Sequence, residues 1–119
     1  LNLIERSRDM GQYLGKQLSA LQDKHPSVGD ARGLGLFWGL ELVRDRKSRL
    51  GFNTREEKIQ GKPMVADGVA AECMKKGTFI NSWINYLIIA PPLIINREEI
   101  DQGISALDSA LEVADRQIA

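Results

Sequence analysis

The chain has 119 residues, of which 43% are hydrophobic and 27% are charged, as is ordinary for one globular domain with a single core. Sixteen basic and sixteen acidic residues cancel, so the composition favours neither nucleic acid nor an anionic membrane surface as a partner. No signal peptide is visible, and no apolar run approaches the roughly 20 residues of a membrane-spanning helix.

The first predicted element is a helix from Leu3 to Lys24. Charged residues separate apolar residues that recur on one helical face, namely Leu3, Met10, Leu14, Leu18 and Leu21. The helix is expected to end at His25, because Pro26 disfavours helical geometry in the residue before it. His25 is the only histidine, and a helix-capping role is preferred to the alternative of a proton carrier.

An extended segment from residue 28 to 43 is predicted as a strand or hairpin. Strict alternation predicts that five apolar residues share one face, namely Leu34, Leu36, Trp38, Leu40 and Leu42. Gly33, Gly35 and Gly39 then fall on the opposite face, where a backbone or helix could approach closely. The glycines lack the spacing and the following helix of a dinucleotide loop. For Arg32 a structural salt bridge is preferred to an anion site.

Residues 44–62 form a long polar loop, of a length that is typical of functional lids and mobile segments. A second helix is predicted from Met64 to Lys76, and Gly77 supplies its C-terminal stop. Cys73, the single cysteine, lies on the apolar stripe of this helix. It is therefore interpreted as a buried, inert thiol rather than a nucleophile, and its lack of a disulfide partner fits a reducing cytosol.

The segment from Leu87 to Ala90 is a continuous apolar run, typical of a strand that is covered on both faces. Pro91 and Pro92 cannot donate ladder hydrogen bonds, so regular central pairing must end there.

A C-terminal helix follows the two prolines. Asn96 and Glu99 have the spacing of a capping box, and Ile95 and Ile100 that of a hydrophobic staple. The helix is predicted to run to the end of the chain, with an apolar stripe formed by Ile100, Ile104, Leu107, Leu111, Ala114 and Ile118.

Together these elements predict one α/β (α+β) domain over residues 1–119, with helices covering a small mixed sheet. The sequence offers no metal-ligand set and no Ser-His-Asp order. The adjacent carboxylates at residues 56–57 and 98–99 are explained by solvation and capping. The residues alone therefore indicate no catalytic, cofactor-binding or metal site that is complete within this chain.

Two segments together resemble the C-terminal small domain of class III, PLP-dependent aminotransferases of fold type I. Residues 30–42, DARGLGLFWGLEL, are similar to the family's V-R-G-x-G-L-x-x-G-I-E-L strand. Residues 90–95, APPLII, followed by EEID at residues 98–101, are similar to its A-P-P-L-I-I-T-x-E-E-I-D. The resemblance extends over essentially the whole chain. The omega-amino-acid, amine and taurine transaminases are more similar than the ornithine type, because of the long polar loop and the region of Trp83.

The resemblance implies a cytoplasmic enzyme, usually a homodimer, that uses pyridoxal 5'-phosphate with small amine and keto acid substrates. It also implies that the catalytic lysine, the aspartate facing the pyridine nitrogen and the phosphate contacts belong to a preceding large domain. None of the seven lysines here lies in a motif that resembles the Schiff-base lysine. The chain also begins at Leu1 rather than at methionine, so we expect a fragment that is inactive alone.

The chain departs from the family at one informative point. Many members that bind an α-carboxylate carry an arginine a few residues before the double proline, where this chain has Ile88. Some amine transaminases carry a mobile arginine further upstream, which corresponds to Asn81 or Ser82. No arginine occurs between residues 55 and 97. We therefore expect Ile88, Asn81 and Trp83 to form a substrate-pocket wall without a carboxylate fork, the alternative being that Ile88 is simply sheet core.

The function expected for the full-length protein is transfer of an amino group from an amine or omega-amino acid to a keto acid such as pyruvate. Two alternatives stay open. One is a free-standing α/β ligand-binding or regulatory module, and the other is a related PLP-dependent racemase or aminomutase.

Overall fold

A computed structural model describes residues 2–118, which form five helices and four strands. In chain order these are α1 (Leu3–Lys24), β1 (Val28–Leu34), β2 (Phe37–Leu42), α2 (Arg55–Ile59), α3 (Val65–Lys75), β3 (Asn81–Trp83), β4 (Tyr86–Ile89), α4 (Arg97–Ala110) and α5 (Glu112–Asp115). The predicted fold class, with helices on a small sheet, is confirmed. Among the described helices, none combines the length and apolar character that crossing a membrane requires.

The strands form one sheet in the order β1-β2-β4-β3. Every neighbouring pair is antiparallel, so the expectation of a mixed sheet was wrong in this respect. For two of the three pairs the reason lies in the connections: two-residue turns join β1 to β2 and β3 to β4, and turns this short can only join antiparallel strands.

The core lies between the sheet and the helices, on one face of the sheet. Helices α1 and α3 pack against the strands, and α4 packs on both of these helices. Side chains from each layer are almost fully inaccessible to solvent, among them Leu18, Leu40, Val69, Leu87 and Leu107. The predicted stripe of α1 is confirmed for Leu14, Leu18 and Leu21, whereas Leu3 is exposed.

The start and end of α1 follow the sequence signals. The Oδ1 atom of Asn2 accepts a hydrogen bond from the backbone nitrogen of Glu5 at 3.2 Å, which caps the first turn. His25 caps the last turn, and its backbone nitrogen donates to the carbonyl oxygen of Leu21 at 2.8 Å. The predicted position of His25 as the helix cap is therefore confirmed, and its buried ring lies between the carboxylates of Asp108 at 2.6 Å and Asp115 at 2.5 Å.

The segment from residue 28 to 43 is a hairpin, and its faces differ from those predicted. The register pairs Leu34 with Phe37 and Gly33 with Trp38. Residues that face each other across an antiparallel pair point to the same side of the sheet, so Leu34 and Trp38 point to opposite sides. Accordingly Leu34 is 88% exposed while Trp38 packs against the core. The prediction failed because strict alternation does not continue through the two-residue turn.

Two glycines of α1 allow this helix to approach the hairpin closely. A Cβ atom on Gly11 would lie 2.3 Å from the carbonyl oxygen of Gly35, and one on Gly15 would lie 2.6 Å from the ring of Trp38. The Trp38 ring nitrogen also donates to the Gly35 carbonyl oxygen at 2.7 Å. The turn residue Gly35 has a φ of +58°, which favours glycine.

The segment from residue 44 to 62 is more structured than the predicted loop. It contains the short helix α2 and an isolated bridge between Asp45 and Leu50. Thr54 and Glu57 form a complete capping box, which explains why a helix starts at this point.

Helix α3 confirms the prediction for residues 64–76. Gly77 follows it with a φ of +85°, as expected for a helix stop. Cys73 is inaccessible to solvent, and burial raises the pKa of its thiol to about 11. The thiol is therefore protonated at neutral pH, in agreement with the predicted inert role.

Strand β4 ends at Ile89, just before the two prolines. Leu87 is fully buried, but Ile88 is only half-buried. The described residues therefore cover only one face of the strand, and the prediction that both faces are covered was wrong. The apolar run was misleading because it also fits a strand whose second face is not covered by the described residues.

The capping box at the start of α4 is confirmed. The Oδ1 atom of Asn96 accepts from the nitrogen of Glu99 at 2.8 Å, and the Asn96 nitrogen donates back to the Glu99 carboxylate at 3.2 Å. The C-terminal helix does not continue as one element, because α4 ends at Ala110 and α5 starts after Leu111. The predicted stripe is buried at Leu107, Leu111 and Ala114, and the last residue of the chain lies outside the described residues.

We expect Leu107→Ala to reduce the free energy of unfolding by roughly 2–5 kcal/mol, because Leu107 is 2% exposed and its truncation leaves a cavity. Asn96→Ala should cost about 1 kcal/mol through loss of the cap. Chemical denaturation measures both. A neutral Leu107→Ala variant would contradict the assignment of the buried face of α4.

We expect Gly11→Ala to be destabilising by about 1–2 kcal/mol, although alanine is the better helix former, because its methyl group collides with backbone. Gly68→Ala is the matched control, since a Cβ atom there lies 3.5 Å from Val113, an ordinary contact. That variant should be stabilised by up to about 1 kcal/mol. Equal effects of the two substitutions on the denaturation midpoint would exclude the close approach.

Candidate functional site

The sheet has one face that the described helices do not cover, which we term the open face. Because Leu40, Leu42 and Leu87 point to the core, their neighbours along each strand point the other way. Pairing across the strands extends this assignment over the whole sheet. The open face consists of Asp30, Arg32, Leu34, Phe37, Gly39, Glu41, Asn81, Trp83, Tyr86 and Ile88.

The three residues predicted to form a pocket wall lie together on the open face. Asn81 and Ile88 are directly paired across β3 and β4, and Trp83 is two residues further along β3. Ser82, between them, donates to the Asp67 carboxylate of α3 at 2.6 Å. Because Ser82 points toward the helices, Asn81 and Trp83 must point away from them. The structure thus brings these residues together, while their role in a pocket stays a prediction.

Ile88 occupies the most enclosed position of this group. It is half-buried and lies between Asn81 on β3 and Gly39 on β2. A Cβ atom on Gly39 would meet only the Leu87 carbonyl oxygen, at 3.8 Å. The surface on the Gly39 side of Ile88 is therefore open, and it leaves room for another molecule or polypeptide segment.

Two carboxylates flank one guanidinium at the β1 side of the open face. Arg32 donates to Asp30 at 2.7 Å, and its second terminal nitrogen lies 3.9 Å from the Glu41 carboxylate. The hydrogen bond to Asp30 raises the pKa of Arg32. Tyr86 adds a ring 5.9 Å from the guanidinium and a hydroxyl that donates to Glu41 at 3.2 Å. The preferred interpretation of Arg32 as a salt-bridge residue is confirmed.

Two asparagines fix the loop that precedes α3 to the turn between β3 and β4. The Asn53 nitrogen donates to Oδ1 of Asn85 at 3.0 Å, and Nδ2 of Asn85 donates to the Asn53 carbonyl oxygen at 2.8 Å. The Asn53 side chain accepts from the nitrogen of Val65 at 2.9 Å. Gly51 is needed here, because a Cβ atom would lie 2.3 Å from the Asn85 side chain. We term this pair of side chains the asparagine clamp.

The asparagine clamp places α2 beside the open face. The Lys58 ammonium on α2 lies 5.1 Å from the centre of the Trp83 ring, a cation–π contact. Lys58 was not predicted as a site residue, because residues 44–62 were predicted to form one loop. The Thr54-x-x-Glu57 spacing was the available signal for a helix there.

The helix side of the sheet offers a second concavity, a cavity of about 430 Å³ between α1, α4 and the double proline. Its lining is mainly apolar, and its one charged residue, Glu99, already serves the capping box. The uncharged side chains of Thr78 and Gln102 also line it, so it offers no free charged group to orient a reactant. Within residues 2–118 no group of three potential metal ligands comes together. Of these two surfaces, the open face is the better candidate site, because it brings together the three residues predicted to form a pocket wall.

The lysines of the described residues lie at the surface. Six of the seven are exposed, and Lys58 is half-buried against Trp83. A lysine that reacts as a free amine at neutral pH is usually desolvated in a pocket. Among residues 2–118, no lysine is buried as such an amine usually is.

A family model for "Aminotransferase class-III" matches residues 1–111. The chain belongs to the class-III aminotransferase family. Membership confirms the resemblance drawn from residues 30–42 and 90–101, and it implies pyridoxal phosphate as the cofactor of the whole enzyme.

The similarity covers nearly all of this chain and only part of each relative. A hypotaurine/taurine–pyruvate aminotransferase of Paracoccus denitrificans is 35% identical over 116 residues, which are 92% of this chain and 23% of the relative. An ethanolamine-phosphate phospho-lyase homolog of Caenorhabditis elegans is 38% identical over 118 residues, 97% of this chain and 23% of the relative. The chain thus spans about a quarter of the length of the curated relatives it matches.

The fold is shared with solved transaminase structures. An amine transaminase from an uncultivated Pseudomonas species, determined in its PLP-bound form, superimposes with a TM-score of 0.82 at 28% identity. The match covers 93% of this class-III chain and 23% of that structure.

Proposed function

We propose that the chain is the C-terminal small domain of a PLP-dependent aminotransferase and that its open face forms one wall of the substrate pocket. One observation carries this proposal. Asn81, Trp83 and Ile88, selected by comparison with the family motif, are neighbours on the one sheet face that the described helices leave uncovered.

The full-length enzyme would transfer the amino group of an amine or omega-amino acid to a keto acid such as pyruvate. The donor leaves as a carbonyl compound, and the acceptor becomes an amino acid. When bound, pyridoxal phosphate supplies the electron sink for this chemistry. The hypotaurine/taurine–pyruvate relative supports this class of donor and acceptor.

The contribution of this chain is to shape the pocket and to exclude water. Ile88 and Trp83 supply apolar surface, and the exposed amide of Asn81 supplies a hydrogen-bond donor and acceptor. The missing arginine removes the bidentate fork that an α-carboxylate prefers. An apolar wall therefore favours the methylene body of an amine over the carboxylate of an α-amino acid.

The cofactor is proposed to be held by residues outside this chain, and the fragment is proposed to be inactive alone. The exposure of the lysines supports this view. By analogy with the family, we also propose a cytoplasmic homodimer. The single buried thiol is consistent with a reducing compartment.

A second PLP-dependent reaction has specific support. The phospho-lyase homolog is as similar to this chain as the aminotransferases are. Segments similar to this chain therefore occur in proteins named for different reactions. Family membership favours either enzyme over a free-standing binding module. Product analysis separates them, because transamination consumes pyruvate and forms alanine, whereas elimination and racemisation do not.

Replacing Ile88 tests the proposed wall in the full-length enzyme. Ile88→Arg should raise kcat/KM for an α-amino acid relative to an uncharged amine of similar size. A well-placed charged hydrogen bond is worth about 1.5–3 kcal/mol, so the ratio should change by roughly tenfold or more. Because Ile88 faces away from the core, the arginine is not forced into the helix layer.

Ile88→Met is the matched control, since it keeps a similar volume without a charge, and it should leave the donor ratio close to that of the wild type. Thermal unfolding of both variants checks that they are folded. A stable Ile88→Arg protein with an unchanged donor ratio would show that Ile88 does not face the substrate.

The isolated chain should be folded and chemically silent. After incubation with pyridoxal phosphate and reduction with borohydride, we expect only scattered, low-level labelling of surface lysines, as measured by peptide mass spectrometry. A single lysine labelled stoichiometrically would overturn the proposal that the cofactor is attached outside this chain.

A further inference from the structure

We propose that Lys58 binds the terminal anionic group of an omega-amino acid donor at the Trp83 end of the open face. The inference rests on the proposed function and specifies which part of the donor this wall recognises. It makes Lys58 a specificity-determining residue, even though it lies outside both sequence segments that carry the family resemblance.

The charge of Lys58 is available to a ligand, whereas that of Arg32 is not. Arg32 is engaged by Asp30 and Glu41. Among the described residues, no carboxylate lies within 4.0 Å of the Lys58 ammonium. Its recorded partner is the Trp83 ring, which is 55% exposed. An ammonium has three donors, so contact with one ring face leaves donors free for an anion.

The position of Lys58 is fixed by contacts that do not involve the ammonium itself. The asparagine clamp attaches the preceding loop to the β3–β4 turn, and the capping box of Thr54 and Glu57 sets the start of α2. These contacts fix the backbone at Lys58, and the Trp83 ring holds its side chain. A cation held in this way binds an anion better than a mobile one, because less side-chain freedom is lost on binding.

The order of groups on the open face matches an omega-amino acid. From Trp83 to Asn81 the strand advances by about 7 Å, the length of a short aliphatic chain with its end groups. The apolar surface of Ile88 lies beside Asn81, and the cation lies beside Trp83. With the anionic group of the donor bound at Lys58, the methylene groups of the donor would lie over apolar surface, and its amino group would point away from the Lys58 ammonium.

The chemistry of lysine also determines which anions are accepted. An ammonium is a compact point charge and does not impose the planar, bidentate geometry of arginine. Lys58 should therefore bind a carboxylate and a sulfonate with similar strength. This differs from an arginine fork, which is selective for geometry as well as charge.

The experiment uses the full-length holoenzyme and three donors that share an aminoethyl group: β-alanine, taurine and propylamine. Lys58→Met removes the charge and keeps an unbranched side chain on Trp83, whereas Lys58→Arg keeps the charge. Lys62→Met is the matched control, because it removes a nearby exposed lysine that has no recorded contact with Trp83.

We expect Lys58→Met to lower kcat/KM for both anionic donors by roughly tenfold, mainly through KM, with propylamine unchanged. Lys58→Arg should retain most of the wild-type preference, and Lys62→Met should behave as wild type. An equal loss for all three donors, or no loss for the anionic ones, overturns the assignment of Lys58.

Calorimetry with 1-propanesulfonate, which has no amino group and cannot react, tests binding independently of catalysis. The wild type and Lys62→Met should bind it, and Lys58→Met should bind it roughly tenfold more weakly. Absence of binding to the wild type, or equal binding by Lys58→Met, overturns the inference. Failure of the holoenzyme to aminate pyruvate from any donor would instead overturn the proposed function.

Discussion

The helices on one face of the sheet are the constraint on which the rest of the structure depends. Leu40 and Leu87 must point into the helix layer to be buried, and strand alternation then forces Gly39 and Ile88 outward. A register slip of one residue would reverse both faces, burying Ile88 and exposing Leu87. The stability of the core and the composition of the candidate wall are therefore determined by the same register.

This arrangement also explains why large apolar side chains are exposed on the open face. Phe37 and Trp83 are 67% and 55% exposed, and Leu34 is more exposed still. Strand pairing places Leu34 and Phe37 at one corner of this face and Trp83 at the opposite corner, so they do not form one patch. The sequence pattern of a single strand does not distinguish an exposed apolar face from a second buried face. The apolar run at residues 87–90 therefore suggested a strand covered on both sides.

The sequence predicted best where the signal is local. The capping box of Asn96 and Glu99 and the stop of α1 before Pro26 depend on residues within one turn, and both are present. Which residues of the hairpin share a face depends on the length of the turn between its strands. The alternation of apolar residues does not reveal that length. The roles of Gly11 and Gly15 could not be predicted at all, because they depend on what packs against α1.

The candidate wall was predictable only in part for the same reason. Asn81 and Ile88 were selected separately by comparison with a motif, and strand pairing makes them neighbours. Lys58 is remote in sequence, and it reaches Trp83 because the asparagine clamp holds a strained turn in which Ile84 has a φ of +54°. Such strain persists only where surrounding contacts fix the backbone. The two prolines end the strand pairing at the other end of β4, so the wall is stiff at both ends. A stiff wall can discriminate between donors of equal length that differ only in charge.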